Sequence, residues 1–146
     1  MIQEILDTTR LGDIMASPVI SVYEYDDFHV VEEKMSTHDI RHLPVLNEAG
    51  QVIGLISQRH LYKIHSPRRL ENGGWYYDRE MLDGFILKRV MVHDPYTLKP
   101  HNTLREAIEA MVRFKFGCIP IVDDVNRPIG IVTRDGVLNF ILENKS

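Results

Sequence analysis

His42-Leu43-Pro44-Val45-Leu46, followed after a polar turn by Gly54-Leu55-Ile56-Ser57, recurs in this chain. Seventy-six positions on (44 to 120, 54 to 130) stand Cys118-Ile119-Pro120-Ile121-Val122 and Gly130-Ile131-Val132-Thr133. Each copy is an apolar run, a turn rich in Asn, Asp or Gly, and a second apolar run entered at Gly, which reads as a strand pair. A fixed offset of this kind marks a tandem duplication and outranks any single motif within it.

The first copy opens with Leu11-Gly12-Asp13-Ile14-Met15, and Val19-Ile20-Ser21-Val22 then predicts a short strand. Asp27 is a candidate N-cap, with Phe28, Val31 and Met35 forming one helical stripe. The strands around Val45 and Gly54 follow, and a helix from about Arg59 closes the copy. The second copy keeps this order without a gap. Leu87 to Met91 matches Leu11 to Met15, and Thr97 and Leu98 fall on Ser21 and Val22. Thr103-Leu104-Arg105-Glu106 predicts a capping box, Leu104, Ala107, Ile108 and Met111 a buried stripe, and Gly117 a left-handed helix stop. Leu11/Leu87, Met15/Met91, Glu33/Glu109, Met35/Met111, Pro44/Pro120, Ile53/Ile129 and Gly54/Gly130 are identical pairs. The expected division is residues 1–10 as an N-terminal helix or arm, 11–62 and 87–146 as the repeats, and 63–86 as an insert. That insert holds turn signals at Pro67-Arg68-Arg69 and Asn72-Gly73-Gly74, then Trp75-Tyr76-Tyr77 and a weakly helical run from Asp78. The three aromatics are expected to pack over the body or a partner, with a lid over a ligand as the second reading.

Composition bounds the function. The 146 residues are 44% hydrophobic, enough for a folded domain. Seventeen basic against 21 acidic residues give a net charge of -4, which disfavours a general nucleic-acid binder. No apolar run reaches the ~18 residues of a membrane span. The start, Met1-Ile2-Gln3-Glu4-Ile5-Leu6-Asp7, lacks the basic segment of a signal peptide. The single cysteine, Cys118, has no partner for an internal disulfide, and a cytoplasmic setting is expected.

The duplication resembles a tandem CBS domain pair (after cystathionine β-synthase), or Bateman module. The resemblance rests on Asp13-Ile14-Met15, Val19 to Val22, Ile40-Arg41-His42-Leu43-Pro44-Val45 and Gly54-Leu55-Ile56-Ser57. In the second repeat it rests on Val90-Met91, Tyr96-Thr97-Leu98, Ile119 to Asp123 and Gly130 to Asp135. It implies an α+β fold of two β-α-β-β-α repeats packed about a pseudo-twofold axis, with clefts between them. It further implies that the clefts hold AMP, ADP, ATP or S-adenosylmethionine as regulatory ligands, with no cofactor required, and that two chains form a homodimer. The ligand-facing positions it implies in the first repeat are Ser17, Val19, Ser21, Arg41, His42, Pro44, Ser57, Arg59 and His60. In the second they are Asp94, Tyr96, Thr97, Cys118, Pro120, Thr133, Arg134 and Asp135.

Physical chemistry adds reasons of its own. Ser57 and Thr133 stand where a strand meets a helix, and a helix N-terminus attracts phosphate through its free N–H groups. Arg41, Arg59 and Arg134 can give charge-assisted hydrogen bonds to phosphate. One feature departs from the family pattern Gly-h-h-Thr/Ser-x-x-Asp (h apolar), whose Asp grips the ribose: His60 and Gly136 occupy that place, and Asp135 is one residue early. A one-residue shift turns a helical side chain by about 100°.

Other chemistries find little support. His38 and His42 are four apart, but His42 opens a strand, and a metal site needs three or four convergent ligands. Cys118 has no recognisable base beside it in the sequence, Asp123-Asp124 reads as a turn, and Lys63, Arg68 and Arg69 as a solvated face. The sequence therefore predicts a regulatory binding module acting on an unidentified protein, not an enzyme. The alternative is a structural dimerisation domain without a ligand, which the two replaced ribose-Asp positions favour.

Overall fold

The computed structural model describes residues 1–60, 68–69, 75–76 and 87–144, with the side chains of 68–69 and 75–76 left aside. The chain divides into two compact units, residues 20–94 and residues 1–19 with 95–146. This spatial division cuts across the sequence repeat. Leu11 to Met15 belongs with the strands of the second repeat, and Leu87 to Met91 with those of the first.

In the unit of residues 20–94, β1 (Val22–Tyr23) leads into α3 (Phe28–His38), β2 (His42–Leu46) and β3 (Val52–Ser57). Here α1 (Ile2–Thr8) and α2 (Leu11–Ile14) are the two preceding helices, which belong to the other unit. Asp27 caps α3 by accepting from Val30 N–H at 3.1 Å, and the helix ends on Asp39 in the left-handed region. Phe28, Val31 and Met35 are its buried stripe. Residues 47–50 turn β2 into β3. Asn47 Oδ1 accepts from Gln51 N–H at 2.9 Å, and Gly50 takes φ 79°, where a glycine avoids the Cβ clash. The chain is helical again at residues 58–60; the rest of that expected helix lies outside the described residues. A backbone pair, β4 (Arg68–Arg69) with β5 (Trp75–Tyr76), stands in the insert. The roles expected for the three aromatics, the Lys63 cluster and the run from Asp78 lie outside the described residues or side chains. After the 3-10 turn Leu87–Arg89, β6 (Val92–His93) joins β3, giving the sheet order β1-β2-β3-β6 with only β1-β2 parallel. Val22, Phe28, Val31, Met35, Leu43, Val45, Ile56, Leu87 and Met91 form the core.

The other unit repeats this plan. It holds α4 (Leu104–Phe114), β7 (Cys118–Val122), β8 (Pro128–Thr133) and α5 (Arg134–Glu143). Leu98 makes a parallel bridge to Ile121 and Ala16 an antiparallel bridge to Ile131. These are the places of Val22 opposite Val45 and of Val92 opposite Leu55. Leu11, Leu98, Leu104, Ala107, Met111, Ile119, Ile121 and Val132 are buried, each in the slot of a core residue of the other unit. The N-terminal helix α1 packs against α4, where Arg105 pairs with Asp7 and donates to Gln3 Oε1 at 2.6 Å.

Three local expectations are corrected. Thr103 accepts from Glu106 N–H at 3.2 Å, but the Glu106 carboxylate takes the Asn102 amide and does not reach back to the cap. The left-handed stop of α4 is Lys115 (φ 60°), the counterpart of Asp39, and not Gly117. The first strand spans Val22–Tyr23, not Val19 to Val22. Proline explains the last. In the second repeat Leu98 N–H donates to Pro120 O at 3.2 Å and Val122 N–H to Leu98 O at 2.9 Å. The next rung upstream needs an N–H on residue 120, which proline lacks. Pro44 ends the ladder at the same point in the first repeat.

Candidate functional site

In both units the strand-to-helix junction collects polar groups at one end of the sheet. In the unit of 1–19 and 95–146, Thr133 stands opposite Cys118 and caps α5, its Oγ1 accepting from Gly136 N–H at 3.0 Å. Arg134 N–H donates to Gly117 O at 3.0 Å, and the Arg134 guanidinium to Phe116 O at 3.3 Å. Asp135 lies exposed in the first turn of α5. In the other unit His42 stands opposite Ser57, and Gln58 N–H donates to Arg41 O at 2.8 Å, the same contact one repeat earlier. Arg41 and Arg59 are exposed. His60 is turned back: its Nδ1 accepts from Ser57 N–H at 2.9 Å and lies 3.1 Å from Ser57 Oγ. Where the expected pattern has its Asp, therefore, one unit holds His60, which caps its own helix, and the other a bare glycine, Gly136.

The remaining predicted residues are distributed by register. Tyr96 and Thr97 precede Leu98, beside the start of β7 and thus at the Thr133 end. Ser21 precedes β1, and its carbonyl accepts from Lys34 Nζ at 2.7 Å. Ser17, joined to Pro18 by a cis peptide, and Val19 follow Ala16, which runs antiparallel to β8 and carries the chain away from Thr133. Asp94, with φ 45°, likewise lies past the Gly54–His93 pair, donating its N–H to Ile53 O at 3.1 Å. Pro44 and Pro120 are buried. Lacking an N–H, they give the ladder no donor for the carbonyls of Ile20 and Tyr96.

Cys118 is 4% exposed, and burial pushes its thiol up to about 12. It is a protonated packing group at neutral pH. His38 ends α3 and His42 opens β2, so they share no helical face. Among the described residues no group of three or more His, Cys, Asp or Glu side chains could hold a metal, and no helix is long and apolar enough to cross a membrane.

Residues 95–146 also carry an aromatic cluster that the sequence reading caught only through Tyr96. The Tyr96, Phe114 and Phe116 rings lie 5.5 to 5.9 Å apart, centroid to centroid, and Arg113 sits over Phe114 at 5.3 Å. The signal was available: the same slots of the first repeat hold Ile20, His38 and Ile40.

Two α/β units of one plan, each taking its opening segment from the other half of the sequence, define a tandem-repeat module. The CBS domain model matches residues 11–66 and 87–143, and the chain belongs to that family. The CBS domain pair of protein MJ0100, solved with 5'-methylthioadenosine and S-adenosyl-L-methionine, is similar at TM-score 0.76 and 20% identity, covering 94% of this chain and 98% of that one. CBSX2, a CBS-pair protein of Arabidopsis thaliana, solved in complex with AMP, is similar at TM-score 0.75 and 21% identity, covering 94% and 99%. In sequence the chain is 28% identical over 135 residues to the A-adding tRNA nucleotidyltransferase of Aquifex aeolicus, matching 92% of this chain but 15% of that enzyme. It is 27% identical to an uncharacterized protein of Methanocaldococcus jannaschii, covering 90% of each. The chain spans 15%, 26% and 37% of the length of three further-reaching curated relatives, the nucleotidyltransferase among them.

Proposed function

We propose that this chain is a regulatory module that senses an adenosine-type compound (AMP, ADP, ATP or S-adenosylmethionine) and passes the signal to a protein partner. The observation that carries this reading is the pair of ladder carbonyls, at Ile20 and Tyr96, that buried prolines deprive of a donor. Each stands at the sheet end where Ser57 or Thr133 opens a helix. Such an edge suits a base bearing an amine, with the helix start suited to its polar tail. The adenosine complexes of the two CBS pairs support the choice of ligand class. The enzymes among the relatives are much longer than this chain, which fits an accessory and non-catalytic role for the shared portion.

Regulation requires that the ligand prefer one arrangement of the protein. A homodimer in the cytoplasm fits this role, and the exposed Leu138 (53%) and Leu142 (62%) on α5 give a second copy an apolar face to cover. Calorimetric titration of the full chain with AMP, ADP, ATP and S-adenosylmethionine tests the proposal. Heat and a raised melting temperature with at least one compound are expected; no response to any of the four removes the ligand.

A second reading, a ligand-free dimerisation domain, is favoured by one observation: His60 folds back on Ser57 and Gly136 has no side chain, so neither supplies the family's ribose-gripping carboxylate. It predicts a dimer by light scattering and a melting temperature indifferent to nucleotides.

A further inference from the structure

We infer that Met15 is a site of reversible oxidation by peroxides, and that its sulfoxide releases the N-terminal segment from β8. The inference does not depend on any ligand. Met15 closes the turn that brings this segment onto the sheet. Its N–H donates to Leu11 O at 2.9 Å, and its side chain packs on the core of the unit of residues 1–19 and 95–146. There the thioether presses on the backbone of Gly130, so that a Cβ on that glycine would overlap the sulfur. The next residue fastens the segment to the strand: Ala16 N–H donates to Ile131 O at 2.9 Å, and Ile131 N–H to Ala16 O at 3.1 Å.

Exposure singles out this residue among the described methionines. Met15 is only half-buried, while Met35, Met91 and Met111 are 5% to 6% exposed. Met91 sits over Gly54 in the same way, so the chain carries a covered copy of the same seat. Met1 is 88% exposed but stands at the free end of α1, away from any strand. Oxidation follows access to the sulfur. Its lone pair attacks one peroxide oxygen, the O–O bond breaks, an S–O bond forms, and water or an alcohol leaves after proton transfer. The sulfur gives up two electrons and the peroxide takes them. The product is a polar sulfoxide whose oxygen accepts hydrogen bonds. In its seat the group faces the Gly130 backbone, and the N–H groups of the neighbouring rung, at Ala16 and Ile131, are spent on each other's carbonyls. A buried acceptor without a donor is disfavoured, so the side chain leaves and the rung at Ala16 loses its anchor. A dithiol reductase restores the thioether, taking the oxygen away as water and keeping the disulfide.

The test treats the full chain with hydrogen peroxide, folded and in urea, and maps the added oxygen by mass on each methionine peptide. Met15 is expected to react in the folded chain, and Met35, Met91 and Met111 only in urea. Amide hydrogen exchange is then read separately on peptides that carry Met15 with and without the oxygen. The oxidised form is expected to exchange about tenfold faster at Ala16. In fully oxidised wild type the Ile131 amide speeds up with it, and in Met15→Leu, which has no sulfur at this place, peroxide leaves both amides unchanged. If Met15 is as inert as Met91 in the folded chain, the site is overturned. If Met15 oxidises and exchange at Ala16 is unchanged, the sulfoxide keeps its seat and the release is overturned. Should Met15→Leu fail to fold, the oxidised and unoxidised wild-type peptides decide between these outcomes.

Discussion

Met15 lies over Gly130 so closely that a Cβ added there would collide with the methionine sulfur and stand 2.9 Å from its Cβ. Met91 covers Gly54 in the same way, with Cε at 2.9 Å from the same added atom. Each glycine therefore takes its methionine from the opposite half of the sequence, and the identical pairs Met15/Met91 and Gly54/Gly130 are one packing requirement met twice. Overpacking a close contact of this kind costs about 1–3 kcal/mol. Gly130→Ala is expected to lower stability by that amount in urea unfolding. Met15→Ala in the same chain makes room and recovers part of the loss, a coupling that a double-mutant cycle reads directly. Additive losses would show that the two side chains do not meet.

The exchange of opening segments makes a further prediction. Leu11 and Leu87 are both fully buried, Leu11 with Leu104, Ile119 and Ile121, and Leu87 with Phe28, Leu43 and Val45. Truncating a buried leucine costs about 2–5 kcal/mol. Leu11→Ala is expected to speed amide hydrogen exchange across β7 and β8, and Leu87→Ala across β2 and β3. Loss of protection in β2 and β3 from Leu11→Ala would mean that each repeat keeps its own opening segment.

Much of this was legible in the sequence because the repeat supplied a second reading of every position. Asp27, Thr103, the stripe of α3, both strand pairs and the equivalence of Cys118 with His42 all follow from period and offset. The exchange of segments does not, because an offset of 76 residues is the same whether Met15 packs on Gly54 or on Gly130. The α4 stripe was legible at Leu104, Ala107 and Met111, but Ala110 is buried in place of Ile108, which is only partly so. Lys115 was missed because Gly117 is the stronger left-handed candidate by residue type, while the helix ends at Phe114, just past Met111, the last residue of its buried stripe. The shortened first strand was missed because its β-branched residues say nothing of Pro44 across the ladder. At the site, His60 was recognised as a departure, but its turn back onto Ser57 is a matter of rotamer, which no spacing records.

The turn at Asp123 gives a pH test. Asp123 Oδ1 accepts from Arg127 N–H at 2.9 Å and from Val125 N–H at 3.0 Å. The Arg127 backbone bond first of all, then the Val125 one with the nearby Arg127 and Lys99 charges, hold its pKa below the usual 3.8. A depressed native pKa stabilises the fold fully above the unfolded value, and that contribution is lost as pH falls through the native value. Wild type is thus expected to lose stability below about pH 4 in part through this group. In Asp123→Asn this part of the acid slope should vanish while the fold at pH 7 is kept, since Asn47 makes the same turn in the first repeat. Urea midpoints between pH 7 and 3 check this, and an unchanged slope in the variant would refute it.

Cys118 should be silent in the folded protein. Its buried thiol, pushed up to about 12, supplies almost no thiolate at pH 8. Alkylation by iodoacetamide is then expected to follow the rate of opening of β7 and to accelerate sharply in urea. Rapid labelling of the native chain would place the thiol in a more polar setting.

Pro120→Ala tests the donorless carbonyl itself. Alanine restores an N–H where the parallel ladder stops, so the first strand of that unit is expected to lengthen by a rung to Tyr96. The new hydrogen bond contributes about 0.5–1.5 kcal/mol. Removing the proline frees the unfolded chain and takes back about 0.4–1 kcal/mol. The two nearly cancel, so stability should change little. Ligand binding has no such offset, because the carbonyl that would meet the adenine amine is now occupied. Affinity for AMP is expected to fall about three- to tenfold, the worth of one neutral hydrogen bond. A protected amide at residue 120 with undiminished AMP affinity would show that the base is read elsewhere.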